Sequence, residues 1–385
     1  MKRFLSILMV ALLTVSLAAC ANGTEDTTGT TATPTTNIEA ESVTTVATTT
    51  KVAQTTATTT TVANTQAPVN QVTTEKKTEW KPVIYTTAAA TTAKRNEYAM
   101  SALAMDKKKV GDTMKSPLSS STYTLKWMDD FNGTKVNTAD WTIMTENANA
   151  SEGQVNKPEN VKVANGKLSI SLKKETATTP DNFTKKFTGG GIQSKGKKYF
   201  KYGRIEALMK VPYGKGMWPA FWTIGDTIAG GREAWWPWGG EIDIMEMFGK
   251  SNTQTVMSGG IFYYPPKDYE NFDYNNAKSL LRESDAGSFR YPATKFSDGY
   301  HVFGIEWTPL KLTFYFDNHA WGTIDITGED FEYAMHNAHQ IIIHYAVEGF
   351  GLQADGTRAY DGREPGSDAV IPQTFDIDWV KVWQK

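Results

Sequence analysis

The chain reads as an all-β protein, a two-sheet antiparallel β-sandwich, on three observations. Short strand-like runs recur from Tyr123 to Lys385 with turn signals between them. A helical period is almost absent. The cleanest run, Lys167 to Lys173, alternates apolar Leu168, Ile170 and Leu172 with Ser169, Ser171 and Lys173, the pattern of a sheet with one buried and one wet face.

The elements before the sandwich differ in kind. Lys2 and Arg3 precede an apolar run from Phe4 to Leu17, then Ala18, Ala19 and Cys20. A basic start, a short apolar stretch and small residues describe an export signal, too short to span a membrane. The ending Leu17-Ala18-Ala19-Cys20 resembles a bacterial lipobox, which implies lipidation of Cys20; the alternative is an ordinary signal peptide that contains a cysteine. Residues 1–20 are thus expected to export the chain and anchor it by lipid at the cell surface, or to secrete it. Cys20 is the only cysteine, so no intrachain disulfide forms. No later apolar run predicts a second membrane contact.

From Asn22 to about Lys94 threonine dominates and no core-forming period survives. Such a stretch buries too little to offset its ordering entropy, so residues 21–120 are read as a disordered linker, with folded sequence from Tyr123 in a domain spanning 121–385. The net charge of −2 gives no reason to expect a nucleic-acid partner. A monomer is expected.

Within the domain, Asn165-Gly166 is a tight hairpin signal between Val161–Ala164 and Lys167–Lys173. Arg204 and Glu206 sit two apart on one strand face, as a surface ion pair or as part of a cleft floor. Lys311 to Phe316 alternates and ends in the turn Asp317-Asn318. His301 stands at a strand start, where a structural role is expected.

The stretch Gly240 to Phe248 carries three acids in a strand-like run: Glu241, Asp243 and Glu246. On a regular strand Glu241 and Asp243 share a face and Glu246 points away. One extra residue near Ile244-Met245, a β-bulge, returns Glu246 to that face. The two glutamates then stand on the order of 13 Å apart along the backbone. Side chains leaning together bring the carboxyls to about 5–5.5 Å, the separation of a retaining glycosidase. The alternative is a solvated strand face. Trp235, Trp236, Trp238, Ile242 and Ile244 flank the acids and favour the catalytic arrangement.

Glu241-Ile242-Asp243-Ile244-Met245-Glu246, with Trp218-Pro219-Ala220-Phe221-Trp222 upstream, resembles glycoside hydrolase family 16, in its bulged, laminarinase-like branch of endo-β-1,3-glucanases. The regular spacing typical of lichenases is absent. Trp127 to Phe131, Trp141, Gly189 to Ser194, Tyr300 to Pro309 and Phe375 to Trp383 extend the resemblance over about Tyr123 to Lys385. It implies a concanavalin-like jelly roll whose concave face is the substrate cleft. It further implies that Glu241 is the nucleophile, Asp243 its helper and Glu246 the general acid/base, with no cofactor needed for catalysis. Trp218 is implied to line a sugar subsite. Trp222, on the same strand face, and Trp238, in the loop before the acids, are candidate walls, as core packing is the alternative for Trp222.

The chain departs from the family at several points. A histidine usual about sixteen residues past the acid/base is missing, and Tyr263 is the candidate replacement donor. His344 and Glu348 stand where relatives carry Asn and Gly. Arg204, Tyr263 and His344 are therefore carried as candidate substrate contacts, and Asp378 as a candidate ligand of a structural calcium or a solvated acid. The expected activity is retaining, endo-acting cleavage of β-1,3 or mixed β-1,3/1,4 linkages in β-glucans. Galactan hydrolysis, agarase- or carrageenase-like, and non-catalytic glycan binding are the alternatives.

Overall fold

The computed structural model describes residues 107–145, 152–228, 232–234, 236–247, 256–266, 277–280, 288–290, 296–354, 357–367 and 369–385. Cys20, the threonine-rich stretch, Trp235, Phe248 and most of the 264–281 insert lie outside them.

Two antiparallel sheets make the sandwich. The first runs edge to edge through β1 (Thr113–Lys115), β2 (Thr122–Asp129), β24 (Gln373–Gln384), β10 (Gly203–Lys210), β18 (His301–Trp307), β19 (Lys311–Phe316) and β20 (His319–Asp325). The hairpin of β5 (Val161–Ala164) and β6 (Lys167–Leu172) joins it through β24. The second runs through β16 (Lys278–Leu280), β15 (Val256–Tyr263), β14 (Glu241–Glu246), β11 (Met217–Ile224), β21 (Gln340–Val347), β9 (Phe187–Gln193) and β3 (Thr142–Ile143). On it, β17 (Ser288–Arg290) pairs with β15, and β4 (Gln154–Asn156) lies parallel to β9. Three small hairpins complete the described strands: β7–β8 (Ala177–Thr178, Thr184–Lys185), β12–β13 (Thr227–Ile228, Arg232–Glu233) and β22–β23 (Phe350–Leu352, Arg358–Tyr360).

The alternation in sequence becomes the core. Leu168, Ile170 and Leu172 are fully buried with Ile205, Ala207 and Met209 of β10 and with Ile341, Ile343 and Tyr345 of β21. Each fully buried aliphatic side chain contributes about 1.5–3 kcal/mol relative to exposure. Trp141 is in this core, and its indole donates to Asp129 Oδ2 at 2.9 Å. Asn165 (φ 56°) and Gly166 (φ 70°) turn the β5–β6 hairpin through the left-handed region, as their residue types predict. His301 opens β18 against Asp317, Nδ1 to Oδ2 at 2.8 Å.

The amino-terminal boundary is corrected. β1 pairs with β2 from Thr113 to Lys115, and Ser116 hydrogen-bonds to Glu306, so the last part of the expected linker belongs to the first sheet. A three-residue edge strand, Thr113-Met114-Lys115, is too short to carry a periodic signal.

His339 is fully buried beside Trp307, its ring between Thr223 Oγ1 (3.0 Å) and the Ala334 carbonyl (2.8 Å). Burial pushes this imidazole down to about 4, despite backbone carbonyls that favour its charged form. The unfolded chain therefore binds this proton first. Stability from neutral His339 is intact above pH 6.5 and is lost as pH falls from there to about 4, by about 3 kcal/mol. Urea unfolding of wild type and His339→Gln at pH 7 and 4.5 checks this. A pH slope equal in both proteins would refute it.

Candidate active site

The bulge stands where the acid spacing requires it. The register of β14 against β15 pairs Glu241 with Phe262, Asp243 with Gly260 and Glu246 with Ser258, and shifts between Asp243 and Glu246. Against β11, Ile224 faces Glu241, Trp222 faces Asp243 and Ala220 faces Glu246. Ile242, Ile244 and Met245 are all fully buried in the core between the sheets. Two consecutive residues, Ile244 and Met245, thus enter the core, and all three acids emerge on the opposite face of the sheet.

The chain reaches β14 through Gly240, at φ +80° with its Cα packed on Ala334, where a Cβ would lie 2.3 Å from the Ala334 carbonyl oxygen. Glycine is required there on both counts. Asp243 is 2% exposed, Glu246 3% and Glu241 half-buried. Each glutamate receives an indole. Trp218 Nε1 donates to Glu246 Oε1 at 3.0 Å, and Trp236 Nε1 donates to Glu241 Oε2 at 2.5 Å. Each indole N–H fixes the carboxyl oxygen it donates to.

The structure sorts the remaining candidates. Trp218 and Trp222 lie two apart along β11 from Ala220, half-buried on the face of the acids. Trp222 faces Asp243 and is not in the core. Trp238 is half-buried just before β14 and meets Tyr264 edge-on at 5.8 Å. His344 also falls on this face, in the row Glu246–Ala220–His344–Gly191 across four strands. Its ring, however, is covered: it is 4% exposed, with Nε2 3.3 Å from Gln154 Nε2 and 3.2 Å from Asn156 Oδ1, and Glu152 at 3.6 Å. β4 lies over it.

Two expectations are corrected. Arg204 is neither a surface group nor part of the cleft floor. It is fully buried in the first sheet, on the face of β10 turned from the main core, bound to Glu206 (3.1 Å), Glu306 (3.2 Å) and Asn318 (2.9 Å). Tyr263 faces the core, its ring tilted against Phe331 at 4.7 Å; its neighbour Phe262 takes the acid-bearing face. Asp378 is the extra residue where β24 bulges against β10, between Trp379 and Ile377. Among the described residues no group of three or more His, Cys, Asp or Glu side chains could hold a metal ion.

Trp236 and Phe262 complete the site without having been singled out as contacts. Phe262 packs on the Trp236 ring at 5.3 Å, so the two form one aromatic wall beside Glu241. Gln154 and Asn156, the lid on His344, carry no motif at all.

Known proteins share this fold. The sequence model of the family described as "Beta-porphyranase A-D, GH16 domain" matches residues 124–385. A glucan endo-1,3-beta-glucosidase A1 from Niallia circulans is 27% identical over 287 residues, 68% of this chain; the chain spans only 38% of that relative's length. A glucan endo-1,3-beta-glucosidase from Cryptopygus antarcticus is 27% identical over 275 residues, covering 68% of this chain and 92% of the relative. Among solved structures, an endo-beta-1,3-glucanase from Pyrococcus furiosus matches with a TM-score of 0.58 and 27% identity, over 71% of this chain and 97% of that one.

Proposed function

Because the chain belongs to glycoside hydrolase family 16, we propose that it is a retaining endo-glycosidase cutting β-1,3, or mixed β-1,3/1,4, linkages inside β-glucans. The observation that carries this reading is the row of Glu241, Asp243 and Glu246 set on one face by the β14 bulge, with an indole on each glutamate.

Glu241 attacks the anomeric carbon as Glu246 gives its proton to the leaving oxygen; the glycosidic bond breaks and a glycosyl ester forms. Glu246, now a base, takes a proton from water, which attacks the same carbon and frees Glu241 with the original configuration restored. Asp243, buried between them, orients Glu241. Trp218 and Trp222 offer half-exposed ring faces for sugar stacking along β11. The choice of glucan leans on the activities named for the relatives above. No cofactor takes part in these steps.

A second reading, hydrolysis of a galactan, is favoured by the description of the matched family. Reducing-sugar release by the full chain from laminarin, mixed-linkage β-glucan, agarose, carrageenan and porphyran, with Glu241→Gln beside it, separates the two. Release from a β-glucan that the variant loses is expected. Release from galactans alone would replace the substrate and keep the mechanism. Binding without release from any polymer would make the protein a glycan-binding one.

A further inference from the structure

We infer that Trp236 is a positioning residue for the nucleophile: its indole N–H fixes one carboxylate oxygen of Glu241, and Phe262 fixes the indole. This rests on the reading of Glu241 as nucleophile. The three groups close on one another. The register of β15 with β14 puts Phe262 directly opposite Glu241 on the same face, where paired side chains lie in contact range. Phe262, 4% exposed, packs against the Trp236 ring at 5.3 Å with the planes 58° apart. The indole then returns to Glu241 Oε2 at 2.5 Å.

Trp236 comes from the turn before β14, five residues ahead of Glu241, so no strand ladder sets its side chain. It needs a lateral support, and Phe262 is that support. On its own strand Asp243 and Glu246 share the face of Glu241. Its cross-strand partners, Ile224 on β11 and Phe262 on β15, do not titrate. A neutral donor on one oxygen favours the ionised carboxylate without adding a counter-charge. Once the ester forms, the same N–H stays on its carbonyl oxygen.

The test uses the full chain and dinitrophenyl β-laminaribioside, whose leaving group departs as the phenolate and needs no proton. Wild type, Trp236→Phe, Glu241→Ala and the double variant are assayed with and without azide. In Glu241→Ala, azide attacks the anomeric carbon from the vacated side; a carbon–nitrogen bond forms, the bond from the anomeric carbon to the phenolic oxygen breaks, dinitrophenolate leaves, and the α-glycosyl azide accumulates. If Trp236 acts through the carboxylate, Trp236→Phe lowers kcat by about 10- to 100-fold with Glu241 present, with KM little changed. It then costs less than about twofold in the azide-driven reaction of Glu241→Ala, because the group it positions is gone.

Equal losses in both backgrounds, or no loss with Glu241 present, would overturn the inference. Should azide fail to rescue Glu241→Ala, the acid limb of kcat/KM decides: Trp236→Phe moves it to higher pH, and an unmoved limb overturns the inference. Full activity of Glu241→Ala without azide would instead remove Glu241 as nucleophile. The two failures are thereby distinguishable.

Discussion

Glu246→Gln is expected to release a burst of aryl alcohol from an activated aryl β-glycoside and then stall, while its hydrolysis of polysaccharide falls by about 10²- to 10⁴-fold. Glu241→Gln should give no burst and lose both activities. The asymmetry follows from the roles. A good leaving group departs without a proton, so the first step survives loss of the acid. The second step still needs a base to activate water, and the glycosyl ester accumulates on Glu241. Loss of Glu241 removes the attacking atom itself. Glu246 is a suitable site for such a test because its surroundings are tightly defined: it is 3% exposed, faces Ala220 and Ser258 across its two neighbouring strands, and accepts the Trp218 indole. Glutamine keeps the volume and an acceptor oxygen, so the fold should not register the change. Pre-steady-state release measured for both variants checks this; bursts from both, or from neither, would refute the assignment of roles.

Arg204→Met should destabilise the protein by about 3–5 kcal/mol and leave kcat at permissive temperature unchanged. The loss comes from what remains behind. Glu206 and Glu306, both nearly inaccessible, lose the cation that joins them, and a buried charge without its partner costs several kcal/mol. Burial would by itself lower the Arg204 pKa, but Tyr315, Glu206 and Glu306 outweigh it and raise it above the usual value. Burial likewise acts to raise Glu306, yet donation from Ser116, Ser119 and Arg204 prevails and holds it below the ordinary carboxylate range. The guanidinium also lies over the Tyr315 ring at 4.3 Å, and Glu206 receives the Trp383 indole at 2.7 Å. Glu306→Gln keeps a hydrogen-bonding group and should cost much less. Urea unfolding of the two variants, with activity assayed in parallel, checks both halves. A stable Arg204→Met, or a stable but inactive one, would overturn the account, the latter by returning Arg204 to the cleft.

What the sequence revealed and what it hid divide along physical lines. Alternation, the Asn165-Gly166 turn and the misplaced parity of Glu246 are local, and each was readable because period 2 or a positive φ leaves a signature in neighbouring residues. Arg204 shows the first limit: its position on a strand was readable, but which sheet, and which face of it, is decided by β24 and β18 far along the chain. Tyr263 shows the second. Two adjacent aromatics present the same composition, and a one-residue difference in register alone decides that Phe262 meets Glu241 while Tyr263 joins the core. Trp236 stood in view within a tryptophan-rich turn, yet which of its indoles reaches the acids depends on loop conformation. β4 over His344 left no trace, since Gln154 and Asn156 are ordinary polar residues until they are buried.

The bulge in β14 also limits how this strand can change. Swapping residues cannot convert its acid spacing, because any register shift by one would turn every later side chain inside out. Removing Met245, a core residue in a doubled inward pair, is different. It would leave three acids at every second position and keep Met247 on its inward side, with no residue changing face. The irregular and the regular spacing are thus one deletion apart rather than several substitutions apart, and the strand on either side of that step presents the same sequence of faces to the cleft and to the core.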